Sequence, residues 1–133
     1  MNRLLVCLLF LAAPCIPGRA ELPPSAYEKM QSEAPEVLRV HILRVDEQPT
    51  DDASVQEVTA LAETLKVGRS KSKLKPGDMI TIKYRVTKHQ PGWAGPGEVP
   101  VLKDDQETVA YLVANTDAQD YTPAAGAMSF ERF

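Results

Sequence analysis

Between Met79 and Thr87 the chain alternates without a fault. Ile80, Ile82, Tyr84 and Val86 fall on one side, and Thr81, Lys83, Arg85 and Thr87 on the other. A period of two puts every second side chain on one face of a pleated strand, so this stretch reads as a strand with one buried face. It is entered by Lys75-Pro76-Gly77-Asp78, a turn sequence: proline presets φ, glycine tolerates positive φ, and aspartate bonds its own backbone. It is left through His89 to Leu102, where the single tryptophan, Trp93, lies between two glycine-proline clusters.

Residues 1–20 are a different kind of segment. Arg3 forms a short basic start, Leu4 to Ala13 an apolar run, and Gly18-Arg19-Ala20 a small-x-small cleavage pattern. That is the layout of a secretory signal peptide, and the apolar run is about half of what a bilayer span needs. Cleavage before Glu21 would remove both cysteines, Cys7 and Cys15. The exported domain would then carry no disulfide, thiolate metal site or cysteine nucleophile. Lipidation at Cys15 is disfavoured, because Pro14 stands where a small residue is wanted. Loss of Arg3 and Arg19 leaves 13 basic against 18 acidic residues, a net of −5 where the full chain has −3. An acidic exported domain argues against nucleic acid as partner, and no second apolar run is long enough to be a transmembrane segment. The expected location is the periplasm or the outside of the cell.

Along the remainder, residues 21–35 form an N-terminal arm. Ser25-Ala26-Tyr27-Glu28 has capping-box form and predicts a short helix that stops at Pro35. Glu36 to Glu47 is a β-branched, alternating first strand. Its parity changes at Leu43 and Val45, which predicts a bulge near Ile42. Ser54 to Arg69 fits two templates: a helix with Val55, Val58, Leu61, Ala62 and Leu65 as its stripe, or a long strand from Val55 to Val67 with Thr59, Leu61, Leu65 and Val67 on one face. The short polar link into the next strand favours the strand. Glu107 to Ala114 is apolar on both faces and reads as a central, doubly covered strand. Asn115 to Pro123 reads as a polar loop, and Met128 with Phe130 as a short closing strand.

Five strands and one short helix predict a mainly β domain over 36–133, a small OB-like five-stranded barrel, since a sandwich of this kind would want seven strands. A resemblance supports this. The long strand, Leu74-Lys75-Pro76-Gly77-Asp78, the alternating strand and Val109-Ala110-Tyr111-Leu112-Val113 resemble the middle of netrin-like, TIMP-type OB domains. The segments Pro91-Gly92-Trp93-x-Gly95-Pro96-Gly97 and Tyr121-x-Pro123-Ala124-Ala125-Gly126 resemble those of exported bacterial proteins of that shape. The resemblance spans Val55 to Phe130 and implies a fold alone. The inhibitory activity of netrin-like domains depends on a cysteine-pinned N-terminus, which this domain lacks.

No nucleophile elbow, zinc-protease helix or phosphate-binding glycine loop occurs, so the chain is expected not to be an enzyme and to use no cofactor. His41 and His89 lack metal-type spacing partners, so no metal site is expected. Asp51-Asp52 and Asp104-Asp105 read as solvated turns. Lys66, Arg69, Lys71, Lys73 and Lys75 form a basic run that suits an acidic partner, or simply protects strand ends. The best functional candidate is Pro91 to Pro100: a stiff loop presenting one aromatic as a binding anchor, or folding that aromatic back as a plug for the barrel. The expected role is an exported, non-enzymatic binding module for a protein or an envelope polymer, with Trp93, Pro91, Gly92, Gly95, Lys71 and Lys73 as its contact residues. A small periplasmic hydrolase or metal-dependent enzyme, or a structural subunit of an envelope complex, is the alternative.

Overall fold

The computed structural model describes residues 21–93, 95–116 and 119–132. Residues 1–20, where a signal peptide with Cys7 and Cys15 is expected, lie outside them. A helix, α1 (Pro24–Glu33), precedes five main strands: β1 (Glu36–Pro49), β2 (Val55–Ser70), β3 (Met79–Thr87), β4 (Glu107–Asn115) and β5 (Asp120–Pro123). A 3₁₀ turn at Gly126–Met128 and a two-residue strand, β6 (Phe130–Glu131), follow. The strands are ordered β1-β2-β3-β5-β4, and β4 pairs back onto β1, so the sheet closes into a five-stranded barrel of OB-like form. All pairings are antiparallel except β3 with β5, which meet through Ile82 and Tyr121.

The alternation read in β3 is realised. Ile80, Ile82 and Tyr84 are buried, Val86 packs against them, and Lys83 and Arg85 face solvent. The Lys75–Asp78 turn forms as its sequence dictates, with Gly77 at φ 93 and the Asp78 carboxylate accepting from the Lys75 N–H at 2.8 Å. Leu38, Val40 and Ile42 of β1 and Thr108, Ala110 and Leu112 of β4 complete the inner wall with β2.

The segment Ser54 to Arg69 is strand from Val55 onward, not helix. Up to Thr64 its inner face is the opposite of the one expected, and beyond the bulge at Leu65 Val67 packs on the core as expected. Val58, Ala60, Ala62 and Thr64 point inward, and Leu61 is 40% exposed. Register explains this. Ala60 pairs with Ile82 and Ala62 with Ile80. Directly opposed residues share a face, so the isoleucines of β3 dictate which side of β2 is core. The barrel interior has room there for a methyl group and not for leucine.

The long β1–β2 ribbon slips register three times, leaving Leu43, Leu65 and Gly68 without partners. The bulge predicted near Ile42 is the one at Leu43. Leu43 turns out to solvent, and Val45 returns to the core. Each extra residue bends the ribbon, which is how a flat hairpin is curved far enough to close.

Three other expectations are corrected. The helix starts at Pro24, with Pro23 before it and no side-chain cap, so Ser25 and Glu28 form no capping box. Proline suits the first helical position, where its missing N–H is no loss. β4 is covered on one face only: Val109 and Tyr111 are half-buried and Val113 is 38% exposed. It is central instead in pairing along both edges, with β1 on one and with β5 and β6 on the other. The segment Asn115 to Pro123 read as a loop contains β5, while the short strand expected near the C-terminus is found as β6, at Phe130–Glu131 against β4. Met128 lies in the 3₁₀ turn at 43% exposure, while Phe130 is buried against Tyr84 with ring centroids 5.8 Å apart.

The register on β2 is directly testable. Ala62→Leu, which forces three extra carbons into a closed interior, should cost about 1–3 kcal/mol. Ile82→Ala, which opens a cavity, should cost about 2–5 kcal/mol. Leu61→Ala should cost less than either. Chemical denaturation of the three variants gives these differences, and equal losses at 61 and 62 would contradict the assigned face.

Candidate functional site: the aromatic loop after β3

Strand β3 ends at Thr87, and the next segment crosses the end of the barrel. Tyr84 controls its far side. The tyrosine hydroxyl donates to the Pro100 carbonyl at 2.8 Å and accepts from the Leu102 N–H at 3.0 Å. Val99 and Val101 pack on the core and Leu102 is 2% exposed, so Tyr84 and Leu102 fill the interior at this end. Burial pushes the Tyr84 hydroxyl up to about 12, against the Leu102 N–H, which favours the anion; the Glu47 charge adds to the rise.

The near side is shaped by its proline and glycine. Pro91 and Gly92 occupy the middle of a turn closed by the Trp93 N–H on the Gln90 carbonyl at 3.2 Å, with Gly92 at φ 90. That pair of positions is what a type II turn asks of proline followed by glycine. The turn lays the Trp93 indole flat on the His89 imidazole, with centroids 4.0 Å apart and planes 3° from parallel. His89 Nε2 is in turn 2.7 Å from Glu98 Oε1 across the loop. Gly95 lies under the indole so closely that any side chain there would overlap it. Trp93 is therefore outside the barrel, 57% exposed, with one face stacked on His89 and with Gly95 close against its ring. Beside it is a cleft of about 480 Å³ bounded by Ser54, Thr87, Lys88 and His89.

Pro91, Gly92, Trp93 and Gly95 thus come together as one unit. Lys71 and Lys73 do not join them. They sit on the β2–β3 connection, and the aromatic loop leaves from the other end of β3, nine residues or about 30 Å away. Arg69 of the same basic run is occupied, donating to the Ser32 and Ala34 carbonyls at 2.7 and 2.6 Å.

The remaining titratable candidates have local jobs. His41 Nε2 is 2.7 Å from Asp105 Oδ1, and His89 has its own carboxylate in Glu98. Asp104 accepts the Val45 N–H at 2.7 Å. Asp52 accepts from the hydroxyl and the N–H of Ser54, and the hydroxyl bond, followed by the N–H, draws its carboxyl below the usual range. Among the described residues no three His, Cys, Asp or Glu side chains cluster as metal ligands would, and no helix is long and apolar enough to cross a membrane. In comparisons with protein-family models, curated proteins and solved structures, nothing matches this chain.

Sequence reasoning had no route to His89 and Glu98 as the support of Trp93, since contacts within an irregular loop follow no period. Tyr84 was legible as a core residue, but not as the clamp on the loop.

The clamp has a pH signature. A raised phenol pKa means the folded protein holds this proton more tightly than the unfolded chain does. The stabilisation is complete below about pH 10 and is lost as pH rises toward 12. Stability measured in denaturant should fall across that window, and Tyr84→Phe should flatten the fall. At neutral pH the same variant should lose about 1–3 kcal/mol, because the Leu102 N–H is left buried without its acceptor.

Proposed function

We propose that the chain is an exported, non-enzymatic binding module whose partner is a protein or an envelope polymer. The observation that carries this reading is a large aromatic held in place at the surface. Trp93 is 57% exposed while its lower face is stacked on His89. An exposed tryptophan gives up apolar burial unless a partner covers it. A pre-fixed one loses little conformational freedom when that happens. The netrin-like resemblance belongs to this proposal as a frame for the loop and assigns no residue a role.

The hydrolase alternative draws on one feature, an imidazole held by a carboxylate beside a serine in the same cleft. The Ser54 hydroxyl, however, donates to Asp52 Oδ1 at 2.7 Å, within its own turn. A nucleophile needs its proton directed at the base, so binding is the better reading.

Two measurements test the proposal. Intact mass of the exported protein should correspond to a chain beginning at Glu21. Trp93→Ala should weaken capture of partner, from cell extract or from purified envelope polymer, by about 2 kcal/mol or more. Its melting temperature should barely move, because the indole is outside the core. A large drop in melting temperature with unchanged capture would show the tryptophan to be structural.

A further inference from the structure

Asp120 opens β5 and is 5% exposed, yet its carboxylate makes no hydrogen bond among the described residues. The nearest charge, Lys83 Nζ, stands 3.9 Å from Oδ2, beyond hydrogen-bond reach, and Oδ1 is buried with no partner at all. A carboxylate withdrawn from water and left unbonded is an uphill arrangement that folding alone does not call for. The residue lines a cleft of about 310 Å³ with Asn115 and Thr122 on one side and Lys83, Arg85 and Glu57 on the other.

We propose that this cleft is a sugar-binding subsite, with Asp120 and Lys83 taking neighbouring hydroxyls of a polysaccharide. The charge pattern selects the ligand class. A cation approaching Asp120 is opposed by Lys83 and Arg85, and an anion approaching those two is opposed by Asp120 and Glu57. A neutral hydroxyl meets neither penalty. It donates to a carboxylate oxygen and accepts from an ammonium with the same atom, so a pair of adjacent hydroxyls spans the 3.9 Å gap that the protein leaves open. Asn115 adds a donor and an acceptor, and Thr122 a hydroxyl.

The position extends the Trp93 site. Lys83 and Arg85 line this cleft and Thr87 lines the tryptophan cleft, so the two follow one another along β3, about 13 Å apart from Lys83 to Thr87. An extended sugar chain reaches both, with one ring packing on the exposed part of the indole. This inference rests on the binding-module reading and narrows its partner from protein or polymer to polysaccharide.

The test is titration of the purified protein with three soluble probes, cellotetraose, maltotetraose and N-acetylchitotetraose, followed by isothermal calorimetry and by backbone and indole NMR. At least one should bind and shift Lys83, Asn115, Asp120 and the Trp93 indole together. Asp120→Asn should weaken that binding about tenfold or more, while leaving the melting temperature unchanged or higher, since an unbonded buried charge is removed. Lys83→Ala, at a strand position that is half exposed, should weaken it as well without loss of fold. Silence with all three probes at millimolar concentration overturns the inference, as does binding that Asp120→Asn and Lys83→Ala leave intact. Binding of free glycine in place of the sugars overturns it in favour of a zwitterion. If Trp93→Ala alone impairs capture of a protein partner, the subsite falls and the loop reading stands. If Asp120→Asn impairs sugar binding and Trp93→Ala does not, the subsite stands and the loop reading falls.

Discussion

One side chain joins the core to the aromatic loop. The Tyr84 ring packs inside the barrel against Phe130, and its hydroxyl holds Pro100 and Leu102. Through those bonds the return arm of the aromatic loop is fixed to β3, the strand from which the loop departed. The loop is therefore tied at both ends to one rigid element. Its inner bracing, the stack of Trp93 on His89 and the contact of His89 with Glu98, can then hold a geometry rather than sample many. Rigid display of an aromatic needs this kind of two-level support: packing beneath, and a short polar clamp between packing and loop.

The barrel is held unevenly. The β1–β2 ribbon is long and continuous, whereas β3 and β5 meet through a single bridge at Ile82 and Tyr121. Beyond that bridge β3 runs on toward Thr87 without β5 beside it. The exposed side chains of that stretch, Lys83 and Arg85, are the ones that line the Asp120 cleft. A short parallel seam is a weak point for closure, since it gives up ladder hydrogen bonds, and the same shortness leaves room for a ligand beside the strand. The four-residue length of β5 thus sets both the short seam and the cleft beside it.

The sequence was most legible where one residue decides one conformation. The Lys75–Asp78 turn, the inward row of β3 and the bulge at Leu43 follow from local rules and are found where those rules put them. The barrel itself followed from counting strands. What could not be read was anything fixed by a partner strand. On β2 the large apolar side chain Leu61 lies outside, and Ala60 and Ala62 lie inside, because the isoleucines of β3 opposite them already occupy the interior. Hydrophobic size along a strand cannot reveal that, since it depends on what stands opposite. β5 was missed because four residues are too few to show a period. The basic run and the aromatic loop were joined into one candidate surface because sequence has no measure of which end of a strand a neighbour leaves from. Lys71 and Lys73 are on the far end from Trp93.

Two buried carboxylates make the final comparison. Glu36 is fully buried at the start of β1, and one of its oxygens accepts the Ser72 N–H at 2.8 Å. That bond ties the β2–β3 connection to the barrel, in line with the neighbouring bond of the Lys71 N–H to the Pro35 carbonyl. Its burial thus has a structural return, even though its second oxygen has no partner. Asp120 has nothing comparable. Among the described residues its carboxylate accepts no N–H, and the side chains around it also line the cleft. Both are buried carboxyls, so the contrast lies in the bonds: the fold accounts for Glu36, and Asp120 is left as the observation on which the proposed subsite rests.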